Sequence, residues 1–166
     1  GNVLDHGLDL IHPPLWYIAW GLGLGEFQPG ISELSLCVVL WSIVLGYIGG
    51  RLVEGAFRWW LGNFGIFCWR PIDSYFRLIT ARRNPNLILL SIGAVLGRPD
   101  LGLVAVAFWT VLTTLLLVMR LGQALGTRIV SGPLRSWFSE VDLSADNPSL
   151  SVKLFTNRIA RKSTNL

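Results

Sequence analysis

Three residues at the start of the chain have the types and spacing of a reactive site. Gly1, Asp5 and Asp9 recur at intervals of four. On a helix such positions stack along one face, so two carboxylates would stand one turn apart beneath a position with no side chain. Carboxylates on successive turns can share a divalent cation, and Mg²⁺ favours a few carboxylates together with phosphate oxygens and water. Two are too few for a complete shell, so further ligands have to come from another helix. Glu54 and Asp73 are single acidic residues elsewhere and read as ordinary interfacial groups. His6 could compete as a base near neutral pH, although on a helix it points about 100° away from Asp5. His12 reads as a polar interfacial residue. The plainer alternative is that Asp5 and Asp9 are solvated residues ahead of an apolar segment.

The elements that would position these groups are apolar. The chain has 166 residues, of which 52% are hydrophobic and 14% charged, against about 25% charged in a soluble domain. Its mean hydropathy is +0.53. This is the composition of an all-α integral membrane protein, and carboxylates leading into a membrane segment are costly enough to need a reason. Four apolar runs, 10–25, 34–50, 87–97 and 101–119, predict four transmembrane helices. The first contains Pro13 and Pro14, which predict a kink. The second is uncharged, and Gly46, Gly49 and Gly50 near its end allow close helix packing. The third is short for a span and has to tilt, or to extend backwards with Arg82 and Arg83 snorkelling.

Between the second and third runs, 51–83 is dense in Arg and Trp. From Pro71, the residues Ile72, Tyr75, Phe76 and Ile79 have helical spacing, with Asp73, Ser74, Arg77 and Thr80 mainly between them. That predicts an amphipathic helix lying in the membrane interface. From 122 the sequence turns polar, which divides the chain into a transmembrane portion, 1–121, and a polar tail, 122–166. In the tail, Leu134, Trp137, Phe138 and Val141 suit one short amphipathic helix, and the rest, with its basic cluster Arg158, Arg161 and Lys162, reads as poorly ordered.

The net charge is +4. The basic residues cluster at the ends of apolar runs, which favours anionic lipid headgroups or phosphorylated substrates over nucleic acid. With four spans, the turns at 26–33 and 97–100 fall on one side, and of 14 Lys and Arg only Arg98 lies there. The positive-inside rule then makes the other side cytoplasmic, with Asp5, Asp9, the arginine-rich stretch and the tail upon it, in a multi-pass protein. The arginines either anchor at headgroup depth or bind phosphate, for which the guanidinium fork is suited. Arg82 and Arg83 are the preferred substrate-binding pair, with Arg70 and Arg77 next. Cys37 and Cys68 form no disulfide or zinc pattern and read as small packing residues.

Gly1-x3-Asp5-x3-Asp9 resembles the second half of the signature of the CDP-alcohol phosphatidyltransferase family, D-x2-D-G-x2-A-R-x8-G-x3-D-x3-D. Asp5-His6-Gly7-Leu8-Asp9 is similar to the D-H-G-x-D form in aminoalcohol phosphotransferases of that family. The first half of the signature is absent from these residues. The chain does not begin with Met and opens inside the motif, so two helices are expected before Gly1, completing a six-helix bundle.

The resemblance implies a membrane enzyme of phospholipid synthesis. It would transfer a phosphoalcohol or phosphatidyl group from a CDP-linked donor to the hydroxyl of an alcohol or lipid acceptor, releasing CMP, with Mg²⁺ or Mn²⁺. It also implies Asp5 as a metal ligand and Asp9 as the base that contacts metal as well. Gly1 would leave room for the nucleotide, and a homodimer is admitted. The runner-up is a non-catalytic membrane subunit or scaffold that engages partners through its basic face.

Overall fold

The computed structural model describes residues 2–27, 33–62 and 64–139, with 151, 152 and 155; the side chains of 2–11, 25–27, 33 and 34 lie outside the description. Five α-helices follow one another: α1 (Asn2–Phe27), α2 (Glu33–Leu61), α3 (Pro71–Ile79), α4 (Arg83–Val95) and α5 (Pro99–Ser131). Short 3₁₀ turns occupy Ile66–Cys68 and Trp137–Ser139. The described residues contain no strand. Two helices, α2 and α5, are long and apolar enough to cross a membrane. At 1.5 Å per residue they are about 44 and 50 Å long, which exceeds a hydrocarbon core of about 30 Å. The 13 residues of α4 extend about 20 Å.

The core is apolar, yet large apolar side chains also face outward, among them Trp59 at 87%, Val95 at 86% and Val130 at 86% exposure. Some polar side chains are buried beside the apolar ones, including Asp73, Asn86, Thr110 and Thr113. An exterior rich in large apolar side chains fits the membrane composition. The amphipathic helix expected from Pro71 forms as α3 with part of its apolar surface outward. Ile72, Leu78 and Ile79 are exposed, while Asp73 and Ser74 point into the protein.

Two clusters make the core. One joins α1, α2, α4 and α5 through Tyr17, Leu24, Ile43, Leu90, Leu103 and Val106. The other joins the ends of α2 and α5 to the α2–α3 connection through Phe57, Leu61, Phe67, Trp69, Leu117 and Ala124. Helices α2 and α5 run parallel. Gly46 lies against Thr110, where an added Cβ would come within 2.9 Å of the Thr110 Cγ2, and Thr114 Oγ1 donates to the Gly46 carbonyl at 2.8 Å. Small residues let the backbones approach and the hydroxyl then ties them, the packing expected of Gly46, Gly49 and Gly50. Helix α4 returns antiparallel to α5 after a turn at Gly97, whose φ of 68° suits glycine.

Two sequence expectations change. The polar tail was expected from 122, yet α5 passes through that point to Ser131, and Ala124 is fully buried in the second cluster. Arg120 reads as the end of a span, but it is ion-paired inside the protein, so the helix has no reason to stop there. Past α5, Trp137–Ser139 forms a single 3₁₀ turn, and Ser151, Val152 and Phe155 are helical. Val141 and the basic cluster lie outside the described residues.

Candidate functional site

Helix α1 carries Asp5 and Asp9 within one helical segment that also contains Pro13 and Pro14. Their Cα positions are therefore one turn apart, and Asp9 is one turn ahead of Pro13, which is buried. The prolines have no N–H to donate to the carbonyls of Asp9 and Leu10, so two backbone acceptors beside the second carboxylate lack their usual helical partners. Gly1 lies outside the described residues, as do the side chains of Asp5, His6 and Asp9. His12 is exposed and accepts a hydrogen bond at Nε2 from Trp16 Nε1 at 3.1 Å, a local interfacial role.

Contacts along α1 fix which end of the bundle this is. Asn86, in the first turn of α4, donates from Nδ2 to the Tyr17 hydroxyl at 2.9 Å. Trp20 Nε1 donates to the carbonyl of Pro99 at 3.4 Å, at the start of α5. The N-terminal turns of α1 therefore lie at the end where α4 begins and α2 and α5 finish. Nine arginines gather at that end, against two carboxylates among residues with described side chains, Glu54 and Asp73.

Both carboxylates are occupied. Asp73 is held by Arg120 through two parallel bonds, Nε to Oδ1 and Nη2 to Oδ2, each 2.7 Å. It also accepts the backbone N–H of Arg70 at 3.1 Å, which caps α3. Glu54 lies between two arginines, Arg51 at 2.8 Å and Arg82 at 3.0 Å. At the opposite end, Asp100 pairs with Arg98 at 2.9 Å. Every described carboxylate thus has a guanidinium partner, and among the described residues no three acidic, histidine or cysteine side chains group as a metal site.

The two arginines favoured as substrate ligands diverge. Arg82 is bound to Glu54 and lies 5.1 Å from the centre of the Phe67 ring. Its Nε is buried without a hydrogen-bond partner, as is that of Arg51. Arg83, the first residue of α4, is exposed and has no ion-pair partner among the described residues. Arg70 and Arg77 are also exposed. Cys37 and Cys68 are free. Burial pushes the Cys68 thiol above its ordinary range, opposed by the charges of Arg77 and Arg58.

Sequence reasoning missed Arg120 and Asn86. The signal for Arg120 was present: a charge amid an apolar run is expensive and has a named partner more often than not. Asn86 is 1% exposed and its Oδ1 accepts no hydrogen bond from the protein. The adjacent Asn84-Pro85 pair marks a break and draws attention away from it. In comparisons with family models, curated proteins and solved structures, the chain gives no match.

Proposed function

We propose that the chain is the C-terminal part of a CDP-alcohol phosphotransferase of phospholipid synthesis. In this reading it contributes four spans of a six-helix bundle and works at the cytoplasmic face. The supporting observation is α1 itself, an uninterrupted helix that carries Asp5 and Asp9 one turn apart at the arginine-rich end. In the reaction, the acceptor oxygen forms a bond to the phosphorus that carries the alcohol or diacylglycerol group. The bond from that phosphorus to the bridging oxygen breaks, and CMP leaves with the oxygen. In this reading Asp9 takes the acceptor's proton as the general base.

A divalent cation, when bound, neutralises the charge that develops on the diphosphate. Asp5 and Asp9 suit such a cation, being hard oxygen donors at a shared spacing. They supply part of a donor set. Among the described carboxylates, Glu54, Asp73 and Asp100 are each engaged by arginine, and the resemblance assigns the remaining donors to the first half of the signature. Arg83 is the exposed cation of the favoured pair and binds phosphate, while Arg82 holds Glu54 and orders the wall beside it.

The test uses the full-length protein in membranes, with CMP release as the readout. Asp5→Asn and Asp9→Asn are each expected to abolish release with membrane insertion intact. Near-normal turnover in either variant overturns the assigned roles. Reading the open frame ahead of Gly1 is the cheaper check. Absence of D-x2-D-G-x2-A-R at the signature's spacing moves the reading to the non-catalytic basic scaffold.

A further inference from the structure

Away from α1, a second charged feature stands at the arginine end. Helix α5 finishes at Ser131, and Gly132, with φ 82°, turns the chain back across the start of α3. Two hydrogen bonds pin the returning segment. Ser136 Oγ donates to the Cys68 carbonyl at 2.8 Å, and Trp137 Nε1 donates to Ser74 Oγ at 3.0 Å. Between this strap and the α3 start lies a groove of about 560 Å³. Its walls include Trp69, Arg70, Thr127, Ser131, Arg135 and Trp137. The volume is in the range of small-molecule sites, roughly 300–1,000 Å³.

The charge inside it is one-sided. Arg120 and Arg70 both lie against the Trp69 ring, 4.8 and 4.6 Å from its centre. Asp73 neutralises Arg120, and Arg70 has no ion pair among the described residues. Arg135, on the opposite wall, is exposed and has no ion pair among the described residues. Among the described residues no carboxylate lines the groove. Two guanidinium groups and the Ser131 hydroxyl lining one space are donors suited to phosphate oxygens.

The surroundings are those of a lipid headgroup. Ile129 and Val130, on α5 beside the groove, are 84% and 86% exposed, and Ile72 on α3 is 66% exposed. Arg128 Nη1 donates to the Trp60 carbonyl and so brings the Trp59-Trp60 pair alongside. Exposed tryptophans next to exposed aliphatics mark the depth at which headgroups lie. We infer that the groove between Arg70 and Arg135 binds a phosphate ester, presented by an anionic lipid whose chains run over Ile129, Val130 and Ile72. This site is separate from Asp5 and Asp9 and does not depend on the transferase reading.

The test compares full-length wild type with Arg70→Gln, Arg135→Gln and Arg58→Gln, the last an exposed arginine that does not line the groove. Each is purified in neutral detergent and exposed to mixed micelles of equal parts phosphatidylglycerol and phosphatidylcholine, and bound lipid is read by native mass spectrometry. Wild type and Arg58→Gln are expected to retain phosphatidylglycerol preferentially. Either groove substitution weakens that preference about tenfold, the loss of one charge-assisted hydrogen bond. Arg135→Lys restores part of it and guards against a folding defect. If lipid shows no preference but inorganic phosphate raises the melting midpoint of wild type and not of the groove variants, the site takes a soluble phosphate compound. Equal retention of both lipids with no phosphate effect overturns the inference. So does an Arg58→Gln loss as large as that of the groove variants.

Discussion

Helix α5 is joined to its neighbours by two different means along its length. In the middle of the bundle the contact is made by missing side chains: Gly46 faces Thr110, and Gly50 faces Leu117. Nearer the C-terminal ends of α2 and α5 the contact is made by large side chains, Phe57, Leu61 and Trp69 packing with Leu117 and Ala124, and charge appears, with Asp73 of α3 reaching Arg120 across 47 positions. The difference is the one a membrane setting predicts. In a hydrocarbon core, burying apolar surface between helices gains little, so close packing and interhelical hydrogen bonds carry association. At headgroup depth, charges can be present, but inside the protein each needs a partner. The Asp73 and Arg120 side chains are only 4% and 16% exposed, against 20% for Glu54 and about 30% for its two arginines.

Removing one partner of the closed pair is the largest test of that contrast. Asp73→Asn leaves the Arg120 guanidinium buried without its counter-charge and is expected to destabilise by about 3–5 kcal/mol. The double variant Asp73→Leu/Arg120→Met removes both charges and is expected to recover most of the loss, because the cost lies in the orphaned charge more than in the missing attraction. Denaturant unfolding in mild detergent measures both. A double variant no better than Asp73→Asn would show that the pair itself holds α3 on α5.

The packing half of the comparison is broken by a single methyl group. A Cβ at Gly93 would come within 2.7 Å of the Gly102 Cα and 2.9 Å of its nitrogen, so α4 and α5 must separate. Gly93→Ala is expected to cost about 1–3 kcal/mol. Gly46→Ala makes its one contact under 3 Å with the Thr110 methyl group and meets backbone only at 3.6 Å, so its cost falls below that of Gly93→Ala. An equal loss at both positions, by the same unfolding measurement, would mean that helix separation is not what the substitution costs.

These two regions differ also in how far they could be read in advance. The glycines near the end of the second run announced close packing, because helix spacing alone brings them to one face. The apolar pattern of α3 was legible too, but its direction was not. Without knowing the solvent, Asp73 and Ser74 belong outside; in this protein they face inward and Ile72 and Ile79 outward. The extension of α5 past Arg120 was hidden for a related reason. Its charge reads as a boundary until a carboxylate from another helix is known to meet it. Asn86 and Glu54 were obscured in the same way, since their partners Tyr17 and Arg82 are 69 and 28 positions away. Asp5 and Asp9 are the reverse case. Their spacing is local and visible in the sequence, and the fold adds the end of the bundle at which they stand.

The smallest expected effect is at the other end, where an exposed Arg98 covers a buried Asp100. Arg98 precedes Pro99, and its Nε and Nη2 both donate to Asp100, at 3.0 and 2.9 Å. The guanidinium holds the Asp100 carboxyl below its usual range, and the carboxylate in turn raises Arg98. A carboxyl whose pKa is depressed on folding stabilises the fold at pH above its unfolded value, near 4. The contribution is lost as pH falls through the folded value, which lies lower. Asn at this position keeps a side-chain acceptor in the first turn of α5 while removing the charge. Asp100→Asn is therefore expected to lower the melting midpoint slightly at neutral pH, and the gap from wild type is expected to close on acidification. Arg98 is more than half exposed, so added salt narrows the neutral-pH gap as well. A gap that persists unchanged at acid pH would assign the role of Asp100 to its shape in the turn instead of its charge.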